Sequence, residues 1–294
     1  MLRLRAPAKI NLFLRVVGKR PDGFHELETL FERIDLADEL TFEPHPADLT
    51  LTCDAPTLSC GEDNLVIKAA RLLKRETGTT AGATMRLAKR IPIAAGLGGG
   101  SSDAATTLIG LSRLWQLTVP EERLLALGAS LGSDVPFFLY KVPLAVGRGR
   151  GERCQPVAST MALSHVLVIP DDRLATKEIY AGSRFNLTIP RPSITIVEHA
   201  LRNGSLSELA QAIWNDLEPE AIRRCPAIET IQSRLRALGC LGVRLSGSGP
   251  SVFGLCRDRA HADDIAAKLR ASSPASWRIE TVHTQHASGA AMTA

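Results

Sequence analysis

Four glycines in five residues, Gly96-Leu97-Gly98-Gly99-Gly100, run into Ser101-Ser102-Asp103 and then into a segment of apolar periodicity. A turn of this kind brings backbone N–H groups close to an anion. A helix starting behind it adds donors without intrahelical partners and the positive end of its dipole. Phosphate binding is the chemistry this arrangement suits. The spacing excludes the two commonest nucleotide loops: no Lys-Ser/Thr follows the last glycine, and Ser101 stands where the third glycine of a dinucleotide fingerprint would fall. A flexible loop whose glycines serve tight packing is the alternative, and two hydroxyls at a helix start count against it. Asp103 on its own would repel a phosphate, so it suits a helix cap, a magnesium ion contacted through water, or both.

Two ionisable residues far from this turn in sequence sit among apolar neighbours. Lys9 interrupts Pro7-Ala8-Lys9-Ile10-Asn11-Leu12, and Asp134 lies between Gly132-Ser133 and Val135-Pro136-Phe137-Phe138. Each alone reads as solvated surface charge, but pairing would explain the partial burial of both. Phosphoryl transfer to an alcohol needs an in-line acceptor oxygen, neutralisation of the γ-phosphoryl charge and a destination for the hydroxyl proton. Asp134 meets the last need, taking the proton late and orienting the oxygen, while Lys9 would keep that carboxylate ionised and polarise the acceptor.

These residues need a scaffold of mixed type. Alternating and β-branched apolar residues predict strands over 2–17 and 40–53, with the polar turn Lys19-Arg20-Pro21-Asp22-Gly23 between them. Asp63-Asn64 opens an amphipathic helix that ends before Gly78, and 85–87 forms a short strand ended by Pro92. Ser101-Ser102-Asp103 provide the first turn and cap of a helix carrying Ala104, Ala105, Leu108, Leu111 and Trp115. A helix from Pro120 carries Leu124, Leu125 and Leu127 and is broken by Leu131-Gly132-Ser133-Asp134-Val135-Pro136. The polar stretch 154–161 marks a domain boundary, dividing 1–156 from 157–286, with a frayed tail over 287–294. Beyond the boundary the pattern predicts a strand at 165–169 and helices near 193–202, 205–216 and 226–238. Strands near 242–246 and 251–256, a helix at 260–271 and a last strand around 277–283 follow. Helices and strands in this order, with no regular βαβ beat, argue for an α+β fold.

Bulk composition narrows the partners. With 294 residues, 45% apolar and 22% charged, the chain can bury the cores of two domains. Its 35 basic and 31 acidic residues are interspersed at a net charge of +4, which suits an acidic small molecule and implies no dedicated nucleic-acid surface. Gly147-Arg148-Gly149-Arg150-Gly151-Glu152 is too short and isolated for an RGG-type segment and reads as a turn between strands. The six cysteines form no CxxC pair, which points to free thiols in a reducing compartment. No apolar stretch approaches the ~20 residues of a membrane span. Arg3, Arg5, Lys9, Arg15, Lys19 and Arg20 precede the first acid, but the alternation Leu2-Arg3-Leu4-Arg5 runs into Ile10-Asn11-Leu12-Phe13-Leu14, so a mature first strand is expected rather than a transit peptide. The expectation is a cytoplasmic protein, monomer or homodimer, with small-molecule partners and neither nucleic acid nor membrane.

Three segments taken in order resemble the GHMP kinase superfamily: Pro7-Ala8-Lys9-Ile10-Asn11-Leu12, the run from Pro92-Ile93-Ala94-Ala95 through Gly100 to Ser101-Ser102-Asp103-Ala104-Ala105, and Ser246-Gly247-Ser248-Gly249-Pro250-Ser251. The resemblance covers about residues 2–283. It implies a two-domain α+β enzyme using ATP and Mg²⁺, with a ribosomal-protein-S5-like N-terminal domain, a ferredoxin-like α/β C-terminal domain and the active site in the cleft between them. Asp22-Gly23-Phe24-His25-Glu26-Leu27, the GGGSSD form of the central run, Leu131-Gly132-Ser133-Asp134-Val135-Pro136-Phe137-Phe138 and Thr176-Lys177-Glu178-Ile179-Tyr180 carry a narrower resemblance. It is to members that phosphorylate the 2-hydroxyl of a cytidine-diphosphate-linked methylerythritol.

By position the resemblance makes Lys9 and Asp134 the catalytic pair, and Asn11, Phe24, His25, Thr176 and Tyr180 substrate contacts. It places ATP against Asn64, Lys89, Pro92, Ala94, Ala95, Gly96, Leu97, Gly98, Gly99, Gly100, Ser101 and Ser102, and it identifies no metal ligand. Phe24 and Tyr180 would stack on the cytosine as two plates with His25 bonding the base edge, and Phe185 lies close enough in sequence to take the part of Tyr180. Phe24 stands where tyrosine is common in the family, so a hydroxyl contact is lost while stacking survives. The turn 246–251 would approach the substrate from the second domain, stiffened by Pro250. Three other readings compete: a superfamily kinase acting on homoserine, mevalonate or a sugar, an RNA-binding protein of similar fold, and a nucleotide sensor without turnover. The second leaves the turn at 96–103 unexplained, and the presence of both Lys9 and Asp134 weighs against the third.

Overall fold

The first strand, β1 (Leu2–Lys19), alternates between exposed and half-buried over its first four residues and is then buried without a break from Ala6 to Leu14, as an interior strand must be. The computed structural model describes residues 1–185 and 191–285; the tail at 287–294 lies outside the described residues. By packing the chain forms two compact units interleaved in sequence, Met1–Ala8 with Leu36–Ile93 and Gly98–Lys141, and Lys9–Asp35 with Ala94–Leu97 and Val142 onward. The division expected at 156/157 follows chain order, whereas packing draws β1 and β2 (His25–His45) into both units.

β2 begins fifteen residues earlier than the strand expected at 40, because Glu26, Glu28, Glu32, Arg33 and Asp35 obscure its apolar alternation. The expected strand 40–53 is in fact two. β2 stops at His45, whose Nδ1 accepts from the N–H of Asp48 at 3.0 Å across a turn, and β3 (Leu49–Cys53) follows.

In the first unit β3 pairs in parallel with β4 (Gly82–Ala88), and β4 pairs antiparallel with β2 over Glu39–His45. Leu40 and Phe42 on β2 and Ala83, Met85 and Leu87 on β4 are buried. Four helices pack together there: α1 (Leu65–Thr77), α2 (Gly99–Leu114), α3 (Glu121–Leu131) and the short α4 (Val135–Leu139).

In the second unit β5 (Leu144–Gly149) pairs with β2 over Leu27–Glu32 and turns back into β6 (Arg153–Pro156); of the Gly-Arg segment expected as a turn, Gly147, Arg148 and Gly149 lie in β5 and 150–152 form the turn. A second sheet has the order β11-β7-β10-β9, all antiparallel, from β7 (Ser164–Ile169), β9 (Gly242–Leu245), β10 (Val252–Cys256) and β11 (Arg278–His283). With α9 (Ala227–Ala237) and α10 (Arg259–Ser272) packed on it, this is the split βαβ order of a ferredoxin-like domain, as expected. The remaining helices are α5 (Thr176–Gly182), α6 (Ile194–Asn203), α7 (Leu206–Ala212) and α8 (Glu218–Arg224). The helix expected over 205–216 ends at Ala212, and Trp214 and Asn215 form a two-residue strand, β8, parallel to β1 at Phe13 and Leu14. Helical periodicity continues through Trp214, but the Asn215 amide is committed elsewhere, as described below.

Candidate active site

The glycine-rich turn has the backbone that its composition demands. Gly96 and Gly98 lie at φ 76° and 68°, and Ala94 at φ 57°, in the region that favours glycine. α2 starts at Gly99, earlier than expected, with Gly98 as its cap, so Ser101, Ser102 and Asp103 lie inside the first turns rather than ahead of them. The Ser102 N–H bonds Gly98 O at 2.9 Å, which leaves the amides of Gly99, Gly100 and Ser101 without intrahelical partners. Ser102 Oγ and Asp103 Oδ1 are buried polar atoms that no hydrogen bond satisfies.

Lys89 is not a solvent-reaching lysine. Its ammonium donates to Asp103 Oδ2 at 2.9 Å and to Asp38 Oδ2, and Asp38 Oδ1 accepts from the backbone of Ile91 at 2.8 Å. A Cβ added at Gly99 would stand 3.4 Å from Lys89 Nζ, so the ammonium lies directly against the first residue of α2. Two carboxylates share one cation here. Burial pushes the Asp103 carboxyl up to about 7 against the pull of Lys89, with Asp38 adding to the rise. Lys89 is therefore held against the start of α2 by two acids. Asn64 is likewise occupied: its Oδ1 caps α1 through the N–H of Val66 at 2.9 Å, and its amide donates to Ser59 O at 2.6 Å, leaving one amide hydrogen to offer. Ala95 and Leu97 are buried, whereas Ile93 and Ala94 are exposed and Pro92 half-buried.

In the second unit Lys9, 4% exposed, donates from Nζ to Asn11 Oδ1 at 2.6 Å and to Gly96 O at 3.1 Å, and lies over the Phe31 ring. Asn11 Nδ2 donates to Thr29 Oγ1 at 2.8 Å, and Thr29 in turn donates to Phe13 O at 2.7 Å. Thr29 was not anticipated, since a threonine in a strand carries no signal of its own. The segment 246–249 packs on the same atoms: Ser246 Oγ donates to Gly96 O at 3.1 Å, and a Cβ added at Gly96 would fall 2.2 Å from Ser246 O.

Around the expected base pocket, His25 stacks on Tyr180 with centroids 5.4 Å apart and meets the edge of Phe185 at 5.0 Å. Tyr180 and Phe185 thus both pack on His25. Phe24 is 51% exposed and carries the Arg150 guanidinium 4.9 Å from its ring. Burial, aided by Lys19, lowers the His25 pKa, so the ring is neutral at neutral pH. Thr176 Oγ1 shares a 2.8 Å hydrogen bond with Ser248 Oγ. In the first unit Asp134, half-buried, sits in helical backbone immediately before α4.

Comparison with known proteins identifies the family. Residues 64–141 match the GHMP kinases N terminal domain and 197–275 the GHMP kinases C terminal domain. A 4-diphosphocytidyl-2-C-methyl-D-erythritol kinase from Pelotomaculum thermopropionicum is 41% identical over 266 residues, 90% of this chain and 92% of that protein. The solved structure of a 4-(cytidine 5'-diphospho)-2C-methyl-D-erythritol kinase superposes with a TM-score of 0.81 at 39% identity, covering 96% of this chain and 99% of that one. A homoserine kinase from Cytophaga hutchinsonii gives a TM-score of 0.77 at 17% identity, a likeness of fold alone. The chain is a kinase of the GHMP class. Within that class it belongs to the 4-diphosphocytidyl-2-C-methyl-D-erythritol kinase family. Among the described residues no helix is long and apolar enough to cross a membrane.

Proposed function

We propose that this chain transfers the γ-phosphoryl group of ATP to the 2-hydroxyl of 4-diphosphocytidyl-2-C-methyl-D-erythritol, giving the 2-phosphate and ADP, in the non-mevalonate route to isoprenoid precursors. The observation that carries this is near full-length identity of about two residues in five to proteins of that name. The free amides of Gly99, Gly100 and Ser101 receive phosphate oxygens, and Lys89 supports the turn that presents them. Lys9 polarises the acceptor oxygen from a position fixed by Asn11 and Gly96. Asp134 takes the hydroxyl proton as the oxygen bonds to phosphorus, and ADP leaves on the opposite side. Phe24 stacks on the cytosine from the rim, while neutral His25, braced by Tyr180, bonds the base edge, and Thr176 holds the 246–249 segment in place.

A magnesium ion fits the orphaned oxygens of Ser102 and Asp103, since a hard cation takes oxygen ligands. These two residues would hold it, and the ion would neutralise phosphate charge. The division at 156/157 remains our own reading of the chain, and it falls in the interval between the matched segments 64–141 and 197–275. A cytoplasmic location, as monomer or homodimer, completes the reading.

A coupled ADP-release assay tests it. Turnover with the cytidine diphosphate acceptor and none with homoserine or mevalonate is expected, and the reverse pattern would sink the assignment.

A further inference from the structure

The segment 246–249 has no regular secondary structure, yet it sits against the catalytic lysine. Gly247, at φ 56°, points its Cα at the site: a Cβ there would be 3.2 Å from both Lys9 Nζ and Asn11 Oδ1 and 3.1 Å from Gly96 O. The position of Lys9 therefore depends on where this backbone runs.

The side chain of Asn215 holds that backbone at Leu245 and Gly247, while Thr176 holds it at Ser248. Asn215 is 4% exposed, and its Nδ2 donates to Leu245 O and to Gly247 O, both at 2.8 Å, while Oδ1 accepts from the N–H of Leu217 at 2.9 Å. Both amide hydrogens and the carbonyl are thus used. Asn215 is itself seated firmly. It pairs with Leu14 on β1, the Asp216 N–H donates to Leu14 O at 2.9 Å, and Asp216 Oδ2 accepts from the Val16 N–H at 2.8 Å. Lys9 and Asn11 stand on that same strand. Asn215 therefore joins the strand carrying Lys9, through its backbone pairing with Leu14, to the loop that packs on Lys9, through its side chain.

No other common side chain does this. Aspartate has the same shape but would turn lone pairs toward two carbonyls, serine donates once, and an apolar residue leaves two buried carbonyls unpaired. We propose that Asn215 is a positioning residue for phosphoryl transfer: through Gly247 it sets the Lys9 ammonium at the reacting centre. The proposal rests on the functional reading above only for its kinetic arm.

The test uses the full chain carrying Asn215→Asp, with Asn215→Ser as the milder variant. Amide hydrogen exchange over 246–249 is expected to accelerate about tenfold while that of β7 is unchanged, because loss of two hydrogen bonds loosens the loop locally. In steady state with the cytidine diphosphate acceptor, kcat should fall by about 30-fold in Asn215→Asp and less in Asn215→Ser, with KM for ATP within about threefold of wild type. Unaltered exchange over 246–249 overturns the proposal, as does a kcat within about twofold of wild type. Failure of both variants to fold also overturns it, since Asn215 would then serve the fold rather than the site. If the wild-type chain does not turn over that acceptor, the functional reading falls, and the exchange measurement, which needs no substrate, still decides the part played by Asn215.

Discussion

Thr29 Oγ1 gives its hydrogen to Phe13 O at 2.7 Å and can therefore only accept from Asn11, whose Nδ2 lies 2.8 Å away. That bond orients the Asn11 amide and turns its oxygen toward Lys9. The rotamer of a buried threonine thus decides which end of an amide meets the Lys9 ammonium.

Thr29→Val keeps the shape and removes both roles. The Asn11 amide loses its acceptor and the Phe13 carbonyl its donor, costing about 1–3 kcal/mol of stability. Freed to flip, the amide would present N–H to Lys9, and kcat is expected to fall about tenfold while the KM for ATP stays nearly constant. Thr29→Ser should restore both. A Thr29→Val enzyme with wild-type kcat would show that the amide orientation does not matter.

Asp134→Ala removes the proposed proton acceptor. The rate should drop about 10²- to 10⁴-fold, the usual range for loss of a general base. ATP binding, measured by titration calorimetry, should change little, because the phosphate amides belong to α2. Near-normal turnover would reassign the base.

Phe24→Ala should raise the KM for the acceptor about 5- to 160-fold, given about 1–3 kcal/mol for stacking of one base on one ring, with kcat far less affected. Phe24→Tyr should be tolerated. If the KM does not move, Phe24 stacks on nothing.

Asp103 gives a signed pH prediction for the protein free of nucleotide and metal. Its carboxyl is raised from the ordinary 3.8 to about 7 by burial, against Lys89 and with Asp38. Between these values the folded chain holds a proton that the unfolded chain has released, so this group's contribution to stability falls as pH rises through that window. Asp103→Asn abolishes the dependence and leaves one carboxylate, Asp38, for Lys89. The difference in Tm, variant minus wild type, should therefore grow more positive from pH 5 to pH 8. A difference that is flat or shrinks over that range would show that Asp103 is not held protonated by its surroundings.

Much of this was legible from residue types and spacing. The glycine run announced its own backbone, and the apolar settings of Lys9 and Asp134 flagged them, because charge in such surroundings is costly without a purpose. The mixed α+β order followed from periodicity, and the ferredoxin-like domain from the family resemblance. What stayed hidden depends on long-range partners. The first half of β2 was unreadable because Glu32, buried against His165 and Thr284, looks like a surface acid until strands 133 and 252 residues away are brought to it. The partners of Lys89 were hidden for the same reason, its two acids being 51 and 14 residues distant. β8 reads as the end of a helix because Trp214 continues a helical pattern, and no local pattern reveals that Asn215 bonds residues 30 and 32 further on.

The aromatic rim and the lysine centre differ in how they are held, and this bears on descent. Lys9, Asn11 and Thr29 are enclosed, and each is answered by a neighbour, so a change in any one propagates through the rest. Phe24 is half exposed and meets the Arg150 guanidinium, so it can be exchanged for another flat ring at little cost to the fold. Selection could then try new acceptors at the rim while the transfer machinery stayed fixed, which is one physical route by which a single scaffold comes to serve many alcohols.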